Sequence, residues 1–340
     1  MELDLILEPD LSPAAINELG LLAERYGFRG IWTQNYSSAR DAFLSLVMLS
    51  QNTRRIQVGA VIVCPFEMHP MKITNALLTL NEYAHGRAMV VIGSGGEWPE
   101  VMGSAVFKKN YLSRREHVRE AIEISKRAIA ETELSYEGTA YSALRFSTAW
   151  HKEKPPLIYH GACGPKMLCI GAAAADGVMM SDVMPAMFPG RLPVLQRELA
   201  FRKDAGKFRI SNFVAWHVRE DLNRSLAEAR RELIIRGWLD REWLQPFLSE
   251  ADTRFVLDNR WPFLKAWLER TGHIEGVPAR ITDTLVRELS LAGDYGSLDA
   301  QIERLNGFGA AGFTEIALRL HEEPAESIHL IGRKVLPALR

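Results

Sequence analysis

The stretch from Arg55 to Glu100 constrains this chain more than any other. An apolar run, Ile56 to Val63, leads into an amphipathic segment that stops at His85-Gly86-Arg87. A second apolar run, Ala88 to Ile92, follows and ends in Gly93-Ser94-Gly95-Gly96-Glu97. Strand, helix, strand and a polar glycine turn make a βαβ unit, because parallel strands need a helical crossover between them. The glycine turn then falls at the carboxyl end of a strand, where α/β proteins keep their chemistry.

The same alternation continues in both directions. Leu3 to Leu7 is a short strand ending near Glu8-Pro9. Ser12 followed by Pro13 opens a helix in which Ile16, Leu19, Ala23 and Tyr26 recur until Gly27 stops it. Gly30 to Thr33 is a second strand and Arg40 to Asn52 a second helix. Ile73, Ala76, Leu77, Leu80 and Ala84 form one stripe of the third. Val118, Ala121, Ile122 and Ile129 mark a fourth helix, and Tyr136 to Phe146 a hairpin about Glu137-Gly138. Leu157 to His160, Gly177 to Met180 and Arg209 to Val218 are strands, with helical segments over 165–175 and 185–205 between them. Arg219 to Leu291 reads as helical and rich in Trp, without a clear strand. Ser297 to Phe308 is a helix, Thr314 to Leu318 the last strand and Pro324 to Leu339 the last helix.

Eight strands therefore alternate with helices, marked by Leu3, Ile31, Val58, Val90, Ile158, Val178, Phe213 and Ile316. This predicts an α/β fold: a single closed (β/α)8 barrel over residues 1–340, with residues 219–291 as a helical insertion between strands seven and eight. Basic and acidic residues balance, 41 against 42, and no like-charge block stands out, so nucleic-acid binding has no support. No apolar run approaches the roughly 18 residues of a membrane span. The acidic start, MELDLILEPD, does not read as a signal peptide. Cys64, Cys163 and Cys169 make no metal spacing and suit a reducing compartment. The expectation is a cytoplasmic protein with a small-molecule substrate.

In a barrel the functional groups lie at strand carboxyl ends. That rule selects Glu8, Gln34-Asn35-Tyr36, Val63-Cys64-Pro65, Gly93 to Glu97, His160 to Gly164, Ser181-Asp182 and the neighbourhood of His217. Gly161-Ala162-Cys163-Gly164 precedes a helix opened by Pro165. Backbone N–H groups there, with the partial positive charge of the helix start, suit a phosphate, although a tight βα turn with nothing bound would use the same residues. The Gly93 to Gly96 turn is not a dinucleotide fingerprint, because Trp98 stands where the last glycine belongs. Glu8 and Glu97 are candidate proton donors if the barrel walls raise their pKa values. Trp238, Trp243, Trp261 and Trp267 read as core of the insertion.

Taken together, these pieces resemble the luciferase-like flavin and deazaflavin oxidoreductases, in the branch of methylenetetrahydromethanopterin reductase and the alcohol and glucose-6-phosphate dehydrogenases that use coenzyme F420. The matching segments are Val58 to Pro65, Thr79-Leu80 with His85-Gly86-Arg87, Gly93 to Gly96, Gly161 to Met167 running on to Asp176-Gly177, and the tail Ile302 to Leu305, Ala311 to Phe313 and Ile331-Gly332. The resemblance implies a barrel whose cofactor, coenzyme F420 or alternatively FMN, lies across the mouth. An irregular strand three, around Val61, Ile62, Val63 and Cys64, would press on the ring. Gly93, Ser94, Gly95 and Gly96 would border it, and His160, Gly161, Ala162, Cys163 and Gly164 would hold its phosphate. It further implies hydride transfer with a small organic substrate, or oxygen activation by reduced FMN, in a homodimer. The helix from Leu112 to Ile129 offers an apolar pairing surface.

The departures are equally specific. The deazaflavin branch usually carries Asp-His at the end of strand two, where this chain has Gln34-Asn35, and neither amide takes a proton near neutral pH. Glu8 lies about two positions beyond the glutamate expected on strand one, which keeps its side of the strand. Glu97 is displaced by the extra Gly96, with Glu100 as a fallback. The expected catalytic set is Glu8, Gln34, Asn35 and Glu97; the alternative to an enzyme is a flavin-binding barrel without turnover.

Overall fold

The computed structural model describes residues 1–95 and 111–339. Strands β1 (Glu2–Leu7), β2 (Gly30–Gln34), β3 (Gln57–Val63) and β4 (Ala88–Gly93) run parallel and in sequence order. A separate antiparallel hairpin follows, β5 (Glu133–Glu137) and β6 (Ser142–Ser147). The parallel series resumes with β7 (Leu157–Gly161), β8 (Gly177–Ser181) and β9 (Arg209–Val218). After the short β10 (Ser290–Gly293) it ends with β11 (Glu315–Leu320). Hydrogen bonding passes around β1, β2, β3, β4, β7, β8, β9 and β11 and returns to β1, which closes an eight-stranded parallel barrel. All eight strands read from the sequence are present.

Strand alternation decides which side chains face the barrel axis. Ile6, Trp32, Val61, Met89, Val91, Tyr159, Met179 and Ala317 pack together inside the barrel. Leu3, Leu5, Leu7, Ile31, Val58, Val90, Ile158, Val178, Ile316 and Leu318 face outward against the helices. Each fully buried Leu, Ile or Val side chain contributes about 1.5–3 kcal/mol, so the two shells together fix the strand register. At the amino end, Arg29 binds Asp4 through its Nε at 2.9 Å, and Trp32 Nε1 donates to Asp4 Oδ2 at 2.8 Å. The Tyr159 hydroxyl donates to Glu315 at 2.8 Å. These buried charges are paired, as burial requires, and they plug the barrel bottom.

Helix signals read from sequence are realised at Ser12, whose side chain accepts from Ala15 N–H, and at Gly27, which ends that helix at φ 88°. Three expectations change. The helix over 40–52 is two short ones, Ala42–Ser45 and Val47–Asn52, joined at Leu46. The stretch 219–291 ends in strand β10, which pairs in parallel with Ala215 to Val218, the half of β9 that outruns β8. Along the helix Tyr111–Glu131, the described apolar residues Val118, Ala121, Ile122, Ile124 and Ala128 are buried within the chain's own fold and are not a free pairing face.

Candidate active site at the carboxyl end of the barrel

A cleft of about 340 Å³ opens at the carboxyl end of the strands. Its floor is apolar: Ile6, Met179 and Phe213 from the barrel interior, with Val61 and Ile62 from β3. Neighbouring residues of a regular strand point to opposite faces. Here the pairing of β3 with β4 slips between Ala60 and Val63, and the side chains of both Val61 and Ile62 line the cleft. Gly93 lies behind this floor; a Cβ on it would stand 2.8 Å from Ile62 Cγ2. Gly161 completes the floor, where a Cβ would meet Val91 at 3.1 Å and Ile62 at 3.5 Å.

The opposite wall comes from the segment after β9. The turn Leu233–Ile235 and the turn Gly237–Leu239 bring Ile235, Gly237, Trp238, Asp240 and Trp243 over the floor. Gly237, Trp238 and Leu239 all have positive φ, at 53°, 53° and 48°. Bulky residues rarely adopt that conformation. A Cβ on Gly237 would lie 2.2 Å from the Trp243 ring, so the turn and the indole are fitted to one another. Trp243 is also held by its Nε1, which donates to Ser181 O at 3.3 Å, and by the Arg191 guanidinium 5.5 Å from its ring centre. Two tryptophans read as core thus line the cleft.

One edge of the cleft is charged. Arg319, on the inward face of β11, donates through Nε to Glu8 Oε1 at 3.0 Å and through Nη2 to the Tyr36 hydroxyl at 3.1 Å. Burial opposes the Arg319 charge, but Glu8 and Tyr36 outweigh it and hold the guanidinium above its ordinary range. His321 Nδ1 also meets Glu8, at 2.9 Å, and Gln34 Nε2 donates to the same carboxylate at 3.3 Å. Glu8 is therefore ion-paired behind the wall and does not line the cleft. On the other edge, Asn35 Nδ2 stands 3.1 and 3.0 Å from the two carboxylate oxygens of Glu67. Desolvation pushes the Glu67 pKa up, Asn35 pulls it back in part, and Asp41 adds to the rise.

The sequence-selected residues divide as follows. Gln34, Asn35, Val61, Ile62, Cys64, Ser94, Gly95, Gly161, Ala162 and Cys163 line the cleft. Burial raises both the Cys64 and the Cys163 thiol to about 11, which keeps them protonated. Gly164 is the N-cap of the helix Pro165–Ala174, with open space where a Cβ would stand. His160 faces the helical layer, as alternation with its neighbour Gly161 demands, and is fully buried; Val63 faces the same layer because the slip in β3 breaks its alternation with Val61. Gly96 and Glu97 lie outside the described residues. Tyr36, selected from the end of strand two, also lines the cleft; sequence reading missed Glu67, Arg319 and Asp240 as site residues.

The carboxyl-end cleft, its irregular β3 floor and the glycine turn leading to a helix start suit a flat, largely apolar guest with an anionic tail. The model for the family described as luciferase-like monooxygenase matches residues 4–315 of this chain. A 5,10-methylenetetrahydromethanopterin reductase from Archaeoglobus fulgidus is 28% identical over 343 residues, covering 98% of this chain and 98% of its own. Among solved structures, the coenzyme F420 dependent tetrahydromethanopterin reductase from Methanopyrus kandleri superposes with a TM-score of 0.82 at 19% identity, over 100% of this chain and 99% of that one. An F420-dependent secondary alcohol dehydrogenase in complex with an F420-acetone adduct gives 0.74 at 16% identity, over 100% and 99%. At those identities the two structures speak for the fold.

Proposed function

The chain belongs to the luciferase-like monooxygenase family, and from that premise we propose an oxidoreductase that transfers hydride between reduced coenzyme F420 and a small organic substrate. The observation that carries the choice of a deazaflavin is the end-to-end match to the Archaeoglobus fulgidus reductase, 98% of both chains.

The residues present fit such a coenzyme. Val61, Ile62, Met179 and Phe213 offer a flat apolar floor, and Gly161 adds no side chain to it. Ala162, Cys163 and Gly164 lead into the ten-residue helix Pro165–Ala174, whose first-turn N–H groups would receive a phosphate. Gln34 and Asn35 would hydrogen-bond the polar edge of the ring or the substrate. When bound and reduced, the coenzyme supplies hydride. The chain's own residues hold the substrate against the floor, and the Trp238 and Trp243 wall excludes water from it. Glu8, locked to Arg319, orients that guanidinium toward the cleft; Glu97, a candidate acid by family resemblance, lies outside the described residues.

A homodimer is the proposed assembly, on family resemblance. A cytoplasmic setting is proposed on the three free cysteines. Among the described residues no helix is long and apolar enough to cross a membrane. Fluorescence titration of the purified apoprotein with coenzyme F420 and, separately, with FMN tests the reading. Saturable binding of the deazaflavin is expected. Tight FMN binding without deazaflavin binding would move the chain to oxygen-dependent chemistry, and binding of neither would end the proposal.

A further inference from the structure

Resting on the reading above, we propose that Glu67 is the proton donor of this cleft, aimed by Asn35, so that the acid–base group absent from the end of β2 is supplied by the loop beyond β3. Hydride arriving at the carbon of a C=O or C=N acceptor brings two electrons. The π pair moves to the heteroatom and takes the Glu67 proton, leaving a carboxylate that solvent reprotonates. The reductant is the reduced deazaflavin of the proposed function, and the reverse direction uses the same carboxylate as base.

Among the described residues lining the cleft, the carboxyl groups are Glu67 and Asp240. Asp240 is ion-paired to Arg260 and is thereby held by a cation. The Cys64 and Cys163 thiols are raised to about 11 and the Tyr36 phenol is raised by burial, so none of them is an acid matched to neutral pH. Gln34 and Asn35 have no titratable proton. Glu67 differs from all of these, because its hydrogen-bond partner among the described residues is a neutral amide.

The geometry holds Glu67 in place. Asn35 N–H donates to Val61 O at 2.9 Å, and Glu67 N–H donates to Cys64 O at 3.1 Å. The amide and the carboxyl are therefore both anchored to the irregular end of β3 that also carries Ile62 into the floor. The charged and titratable groups around Glu67 are Asp41 from the segment after β2 and Cys64, the residue just beyond β3. Arg114 of the helix Tyr111–Glu131 bears on that thiol in turn. Asp41 and partial desolvation both favour the protonated carboxyl, while its open side gives solvent access for reprotonation.

The test compares wild type, Glu67→Gln and Asn35→Ala. Infrared difference spectra of the apoproteins across pH come first, because they need no coenzyme. Wild type should show a protonated carboxyl band persisting above the ordinary glutamate range. The band should vanish in Glu67→Gln and persist to higher pH in Asn35→Ala, which has lost the bond that favours the anion. Reoxidation of bound reduced coenzyme by small aldehydes, ketones and iminium compounds comes second. Glu67→Gln should be about a hundredfold slower, within the span of general acid catalysis, with coenzyme affinity unchanged. It should also lose the wild-type fall in rate as pH rises through the Glu67 pKa. Identical infrared spectra, or an unchanged rate and pH profile in Glu67→Gln, would overturn the assignment. Failure of wild type to bind the deazaflavin would instead count against the proposed function, and the infrared comparison would still decide whether Glu67 holds a proton.

Discussion

Arg319 Nε donates to Glu8 Oε1 at 3.0 Å, joining the carboxyl ends of β11 and β1 at the edge of the cleft. The pair converts a carboxylate that looked like an acid in the sequence into the anchor of a cation. Replacing Glu8 by Gln removes the ion-pair partner of Arg319 and leaves Glu232 as its acidic neighbour. Equilibrium urea unfolding should show a loss on the order of 3 kcal/mol, the low end for a broken buried pair, because the Glu8 side chain keeps 21% exposure. A neutral result would mean that Tyr36 and solvent satisfy the guanidinium unaided.

Gly93 is expected to serve the site through Ile62. The extra methyl of Gly93→Ala would lie 2.8 Å from Ile62 Cγ2 and must push that side chain toward the cleft. Coenzyme affinity should fall at least tenfold while the circular dichroism of the barrel is retained. Unchanged affinity would show that the floor at Ile62 is not where the ring rests.

The Gly237 turn makes a sharper demand. Gly237→Ala places a methyl 2.2 Å from the Trp243 ring at φ 53°. Overpacking costs about 1–3 kcal/mol, and the left-handed conformation adds to it. Intrinsic tryptophan fluorescence should shift and the thermal midpoint should drop. Coincident emission spectra would contradict the fitted turn.

Fully buried His160 is held to about 4 chiefly by desolvation. The unfolded chain takes up the proton below about 6.5 while the folded chain does not. Stability is therefore lost as pH falls from about 6.5 toward 4, by about 3 kcal/mol for this residue at about 1.4 kcal/mol per unit. His160→Leu, facing the apolar helical layer, should flatten that part of the stability profile. A slope equal to that of wild type would assign the acid sensitivity elsewhere.

The barrel was legible because each strand repeats one signal, an apolar run closed by a turn, and eight such runs leave few alternatives. Strand β10 was hidden because Ser290 to Gly293 is four residues long and follows directly on a helix. Arg319 was lost through a strand end placed at Leu318, one residue short of an inward position. Alternation could have placed His160 outward once Gly161 was taken as facing in. Glu67 carried no local signal: its role depends on Asn35, 32 positions away, and only the closed barrel joins them. Trp238 and Trp243 could not be told from core aromatics, because the left-handed turn that aims them leaves no periodic mark.

A crystal structure with coenzyme F420 bound is the decisive measurement. The deazaflavin ring should lie against Val61 and Ile62, with its phosphate at Gly161 to Gly164 before the helix Pro165–Ala174. A ring bound elsewhere, or a phosphate held away from that turn, would contradict this placement.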